Sequence, residues 1–252
     1  MICERVITDP ITDEGQPDGG WTPILDPYEG CQFCCPYCFQ WGDESWNQDV
    51  YVNTNIAELL GARLAEWPKE ETIYLGSRCD PYMPLEATYQ LTRECLAILD
   101  ELHINTMITT KADTGLIFRD INLLKSFKAE LTILMGMSNI NQVCKGSQNE
   151  NVLAANRLHE SGVRVWAFIT PVLPYIMDVE AMIAAIDPGI PVFLDKLRIV
   201  NGAVQTKMQE FVARRFLEFA EAYNAIIFGG DERYYRDLER KYANDKRVKF
   251  LF

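Results

Sequence analysis

Residues 26–39 read Asp26-Pro27-Tyr28-Glu29-Gly30-Cys31-Gln32-Phe33-Cys34-Cys35-Pro36-Tyr37-Cys38-Phe39. Taken from Cys31, Cys35 and Cys38, the spacing is C-x3-C-x2-C. Three thiolates this close on one turn suit three corners of a cubane iron–sulfur cluster, a site that prefers cysteine sulfur. No fourth cysteine follows at useful spacing, so one iron of a 4Fe-4S cluster is left for a non-protein ligand. A zinc parsing, Cys31-x2-Cys34 with Cys35-x2-Cys38, puts nothing between the two pairs. Structural zinc sites separate their pairs by roughly a dozen residues, which lets the chain wrap a tetrahedron. Cys34 is then a bystander beside the ligands.

The elements that must carry this loop follow from periodicity. Residues up to about Trp21 are polar and turn-rich and are expected as an extended arm or loop. Thr22 to Asp26 is a strand that delivers the loop. An apolar stripe (Ile56, Leu59, Leu60, Leu64, Trp67) predicts a helix over 53–67, ahead of Pro68. Strand and helix then alternate: strand 72–76, helix 91–102, strand 104–110, helix 120–127, strand 131–137, helix 151–160, strand 163–170, helix 179–186 and strand 192–200. A long helix over 204–223, a strand over 225–228, a helix over 234–242 and a strand over 248–252 close the chain. Such alternation indicates a parallel α/β sheet, open or barrel-like. Nothing resembling a linker divides it, so one domain over 1–252 is expected, with an arm (1–21), a core (22–200) and a completing segment (201–252).

Composition narrows the function. The chain has 48% apolar and 24% charged residues, an ordinary globular balance. It contains no apolar run long enough for a membrane span. The start, Met1-Ile2-Cys3-Glu4-Arg5, lacks a secretory layout, so the eight cysteines are expected in a reducing cytoplasm rather than in disulfides. With 24 basic against 36 acidic residues the net charge is -12, which weighs against binding to a phosphate backbone.

The loop and several later segments resemble the radical S-adenosylmethionine (SAM) superfamily, in its spore photoproduct lyase-like branch. The matching residues are Asp26-Pro27-Tyr28 with Gly30, the three cysteines with Tyr37 and Phe39, and Gly76-Ser77-Arg78-Cys79-Asp80-Pro81-Tyr82-Met83-Pro84-Leu85-Glu86. Leu91-Thr92-Arg93, Thr110-Lys111, Pro171-Val172-Leu173-Pro174 and Asp178 complete the set. The resemblance implies a six-stranded partial (β/α) barrel of the TIM-like type, with chemistry at the C-terminal ends of the strands. It implies a 4Fe-4S cluster on Cys31, Cys35 and Cys38, and SAM on its open iron. It further implies that Tyr37 and Phe39 lie near the adenine, Gly76 and Ser77 near the methionine amino group, and Ser138 and Asn139 near the ribose. Lys111 or Arg198 would meet the SAM carboxylate, unless either is simply a surface charge.

By the same resemblance Cys79 returns a hydrogen atom to a product radical and Tyr82 relays it, with Asp80 between them. One departure matters: aligned on Asp80, Ser77 rather than Cys79 falls at the branch's donor-cysteine position. The alternative is a turn fixed by Pro81 and capped by Asp80. Glu86 is expected as a helix cap or a substrate ligand.

The expected activity is reductive cleavage of SAM to a 5′-deoxyadenosyl radical that abstracts hydrogen from a small molecule or peptide. The expected partner is an electron donor such as flavodoxin or ferredoxin. The alternatives are radical repair of a nucleic-acid lesion and a non-catalytic iron–sulfur or metal-binding protein.

Overall fold

Runs of β-branched residues alternating with amphipathic stripes settle into the α/β order the sequence predicts, in a computed structural model that describes residues 1–15, 21–42 and 46–252. Part of the predicted arm, residues 16–20, lies outside the described residues. The strands are β1 (Ile2–Arg5), β2 (Thr12–Gly15), β3 (Trp21–Leu25), β4 (Tyr28–Glu29), β5 (Val50–Asn53), β6 (Ile73–Leu75), β7 (Thr106–Thr110), β8 (Leu131–Gly136), β9 (Val165–Val172), β10 (Val192–Lys196) and β11 (Val248–Phe250). The helices are α1 (Ile56–Arg63), α2 (Glu86–Tyr89), α3 (Leu91–Glu101), α4 (Ile121–Lys125), α5 (Glu150–Glu160), α6 (Val179–Ala185), α7 (Gly202–Arg215), α8 (Ala220–Gly229) and α9 (Arg233–Tyr242).

Eight strands form one sheet in the order β11-β10-β9-β8-β7-β6-β3-β2. Its middle, from β3 to β10, is six strands in sequence order, the pattern of a six-stranded partial barrel. β3 pairs parallel with β6, β6 with β7 and β7 with β8, and β10 pairs parallel with both β9 and β11. A smaller sheet, β1-β5-β4, holds the chain on either side of the cysteine loop.

The chain divides into two compact units. One comprises Met1–Phe33, Asn47–Met135 and Arg157–Val165; the other comprises Cys34–Trp46, Gly136–Asn156 and Trp166–Phe252. In the first, β7 alternates buried and half-buried positions. Cys95, Leu96 and Leu99 of α3 are buried, as are Ile73 and Leu75 of β6. In the second, Val192 and Leu194 of β10 are buried, with Met208 and Val212 on one stripe of α7.

The structure departs from the sequence reading in places. The described part of the predicted arm includes two strands besides its loop: β1 pairs with β5 and β2 pairs antiparallel with β3. Backbone pairing holds these polar segments without an apolar pattern to announce it. The stretch 50–53, unassigned from sequence, is a strand, consistent with its β-branched and aromatic Val50-Tyr51-Val52. The strand expected over 225–228 is helical, inside α8, and the helix expected over 204–223 breaks at Phe216 (φ -147°). A short apolar run has no period that separates strand from helix. Gly230, in the left-handed region at φ 62°, then stops α8 as a C-terminal glycine does.

Gly76, at the end of β6, has φ +85°, and a Cβ there would lie 2.5 Å from Pro81 Cδ and 2.7 Å from the Thr109 carbonyl oxygen. Gly115 also has positive φ (+70°), but open space where its Cβ would stand. Gly115→Ala should therefore cost only the backbone term, about 1 kcal/mol. Gly76→Ala adds a clash and should cost about 2–3 kcal/mol. Urea melts of the two variants check this, and equal losses would show that the space beside Gly76 is not closed.

Candidate iron–sulfur and SAM site

The cysteine loop is shaped by its backbone before any metal is considered. Gly30, φ 79°, enters it with a Cβ position only 2.6 Å from the Asp49 carbonyl oxygen, and the Cys31 amide donates to Asn47 Oδ1 at 2.6 Å. Further on, the Cys38 amide donates to the Cys35 carbonyl at 3.0 Å, closing a turn. The Trp41 indole N–H donates to the same carbonyl at 2.8 Å. Tyr37 donates its hydroxyl to the Ser138 carbonyl, which fixes the loop to the segment after β8. Cys34 adopts a left-handed conformation, φ 48°, and is exposed.

Cys31, Cys35 and Cys38 form no disulfide, and each is half-buried. Among the described residues no three His, Cys, Asp or Glu side chains are gathered as ligands of one metal ion. A single zinc ion draws its thiolates to about 2.3 Å from one point. A cubane binds each thiolate to a different iron, so its ligands need not share that point. The donor set, three cysteines at C-x3-C-x2-C spacing, fits a cluster by its chemistry.

The loop after β6 belongs to the first compact unit and is organised by two buried carboxylates. Asp80, 7% exposed, accepts from the Thr110 hydroxyl (2.8 Å), the Lys111 amide (2.6 Å) and the Tyr82 amide (3.0 Å). Burial raises the Asp80 carboxyl above its ordinary range, and those three donors pull it back. Asp80 therefore ties this loop to the end of β7, the capping role that the alternative sequence reading assigned it. Cys79 is buried, with its Sγ 3.7 Å from Asp26 Oδ1, and burial pushes its thiol well above the usual range. Tyr82 is fully buried and its phenol is likewise pushed up by burial.

Glu86, with no exposed surface, is the centre of a second network. It accepts from the Tyr28 hydroxyl (2.5 Å), the Thr92 amide (3.0 Å), the Arg93 amide (3.2 Å) and the Arg119 guanidinium (2.6 Å). Arg119 also forks onto Asp120, and Arg93 donates one hydrogen bond to the same carboxylate. Glu86 thus caps α3 and anchors Tyr28, three residues before Cys31. Sequence reasoning offered it as cap or substrate ligand and missed Arg119 and Asp120 altogether. Their adjacency carries no motif, and only the fold brings them to Glu86.

In the second unit Ser138 is fully buried and donates its hydroxyl to the Pro171 carbonyl at 2.8 Å. Asn139 is buried and accepts from the Asn141 amide at 2.9 Å. Phe39 is half exposed. Arg198 is exposed, and its guanidinium already forks onto Asp195 (3.0 and 2.8 Å) and reaches the Leu251 carbonyl (3.0 Å). Lys111 and Ser77 are half-buried at the ends of β7 and β6.

The order of the six central strands gives the chain the partial-barrel α/β fold that spore photoproduct lyase and SuiB share. Spore photoproduct lyase complexed with dinucleoside spore photoproduct superposes with TM-score 0.54 at 12% identity, covering 86% of this chain and 66% of that one. Streptococcus suis SuiB bound to S-adenosylmethionine superposes with TM-score 0.51 at 16% identity, covering 79% and 47%. Two uncharacterized proteins are similar in sequence. One, from Methanocaldococcus jannaschii, is 30% identical over 177 residues, 66% of this chain and 66% of its own. The other, from Mycobacterium tuberculosis, is 25% identical over 174 residues, 61% and 50%. The chain thus spans between about half and two-thirds of the length of these relatives. No protein-family model matches it.

Burial predicts an order of thiol reactivity in the native protein, because the thiolate is the nucleophile. Exposed Cys34 and Cys144 should alkylate with iodoacetamide at least tenfold faster than buried Cys79 and Cys95, read by peptide mass spectrometry. Co-labelling of Cys79 with Cys34 would contradict its placement. Because burial raises the folded-state thiols of Cys79 and Cys95 above the unfolded value of 9.0, the folded protein keeps them protonated at a pH where the unfolded chain ionises them. Stability should therefore hold to about pH 9 and fall above it, with part of the loss removed in Cys95→Val.

Proposed function

We propose that the chain is a cytoplasmic radical SAM enzyme acting on a peptide or small molecule. The observation that carries this reading is the C-x3-C-x2-C loop in the connection from β3, the first of six parallel strands, to β6, in a fold shared with SuiB and spore photoproduct lyase. Cys31, Cys35 and Cys38 would hold a 4Fe-4S cluster, and SAM would complete it. Together these cofactors supply a 5′-deoxyadenosyl radical.

The chain's own residues have distinct parts in this reading. Tyr37, locked to the Ser138 carbonyl, and Phe39 form the adenine side. Gly76, which admits no Cβ, and Ser77 meet the methionine amino group. Ser138 and Asn139 line the ribose through backbone positions, since the Ser138 hydroxyl is engaged with Pro171. Lys111 is the better partner for the SAM carboxylate, because Arg198 is already neutralised by Asp195. Cys79 keeps its S–H at neutral pH, as a hydrogen donor must, with Tyr82 beside it in sequence and Asp80 holding the loop.

A peptide substrate is supported by the structure of SuiB bound to precursor peptide SuiA. The second reading, action on a nucleic-acid lesion, draws on spore photoproduct lyase complexed with its dinucleoside; the net charge of -12 argues against it.

Anaerobic reconstitution with iron and sulfide should give about four irons per chain. Dithionite and SAM should then release 5′-deoxyadenosine. Cys31→Ala, Cys35→Ala and Cys38→Ala should each lose the nucleoside product at least a hundredfold, while Cys34→Ala keeps it. Stoichiometric zinc, or a cluster indifferent to SAM, would overturn the proposal.

A further inference from the structure

We propose that a groove on α7 is the docking site of an acidic one-electron carrier protein, an inference that rests on the function proposed above. The groove has a volume of about 330 Å³ and mainly apolar walls. Cys34 and Pro36, from within the cysteine loop, form part of it, with Trp41 and Phe211. Its cations are Lys207, Arg214 and Arg215, with Glu210 the single carboxylate.

Charge commits the occupant. On α7, Lys207, Arg214 and Arg215 stand at positions i, i+7 and i+8, which is one face of a helix. Among the described residues none of the three has a salt-bridge partner. The two arginines in the last turn of α7 gain from the helix dipole, but Lys207 does not. A chain of net charge -12 repels an acidic protein over most of its surface. Three cations against one carboxylate, gathered at one hollow, give such a partner one favourable orientation.

Location supplies the second argument. Lys207 Nζ lies 3.8 Å from the centre of the Trp41 ring, and the Trp41 indole is bonded to the Cys35 carbonyl. Gly42 permits the same approach: a Cβ there would lie 2.9 Å from Asn201 Nδ2, at the cap of α7. A carrier seated on Lys207 therefore stands one aromatic ring from a proposed cluster ligand. The step is transfer of one electron: the carrier is oxidised by one, the iron–sulfur site is reduced by one, and no bond or proton moves. A nucleic acid would also favour cations, but three of them around a small apolar hollow with a carboxylate make no phosphate track.

The test uses the full chain and two readouts. Calorimetric titration with flavodoxin as the acidic probe should show binding that weakens steeply with salt. Lys207→Glu with Arg214→Glu should weaken it at least tenfold, while Lys145→Glu, outside the groove, leaves it unchanged. In reconstituted protein the double variant should lose at least tenfold in flavodoxin-driven 5′-deoxyadenosine formation and keep the dithionite-driven rate. Unaltered flavodoxin binding in the double variant, or tighter binding of a single-stranded oligonucleotide lost in that variant, would overturn the docking site. Absence of nucleoside product with dithionite in the unmutated chain would instead overturn the proposed function, and the titration would still decide the docking site.

Discussion

One buried carboxylate sets the frame around the candidate site. Glu86 has no contact with water, so its charge must be met inside the protein. It is met by two backbone amides at the start of α3, by the Tyr28 hydroxyl and by Arg119. Amides at a helix start are a good place for a negative charge, and the guanidinium supplies a formal counter-ion. These partners come from three segments besides its own: the approach to the cysteine loop, the start of α3 and the turn after β7. Such an arrangement specifies relative position more than it adds stability, because desolvating the ions offsets much of their attraction.

Around that centre the first unit repeats the same device on a smaller scale. Asp80 takes two amides and a hydroxyl, and so binds the end of β6 to the end of β7. Gly76 lets the two strand ends approach, since no side chain would fit between Pro81 and the Thr109 carbonyl. Of the residues offered for hydrogen transfer, Cys79 directly precedes Asp80, and Tyr82 lies between the two carboxylates in sequence. Their burial keeps both groups neutral, which suits atom transfer and does not suit nucleophilic attack.

Much of this was legible in the chain. The α/β alternation followed from period and turn residues, because each element buries one clear stripe or face, whereas the six-stranded barrel came only with the family resemblance. The three cysteines announced themselves by type and spacing. What stayed hidden depends on contacts between distant residues. Arg119 and Asp120 have no motif, and Glu86 becomes a hub only when α3, Tyr28 and Arg119 converge. Strands β1 and β2 are held by backbone pairing that polar side chains do not advertise. The strand expected over 225–228 failed because Ala225-Ile226-Ile227-Phe228 is apolar without period, so its neighbours decided its form. The cations of α7 were visible at helical spacing, yet a search for runs of charge passes over residues seven and eight positions apart.

The left-handed backbone at Cys34 reaches beyond its sulfur. An L-residue there forgoes about 1 kcal/mol that glycine would not. Cys34 is exposed there, whereas Cys35 beside it is half-buried. The torsion restricts which residues the position accepts, whatever its sulfur does. Glycine would take it without that penalty and asparagine at a reduced one, whereas valine or isoleucine would be strained.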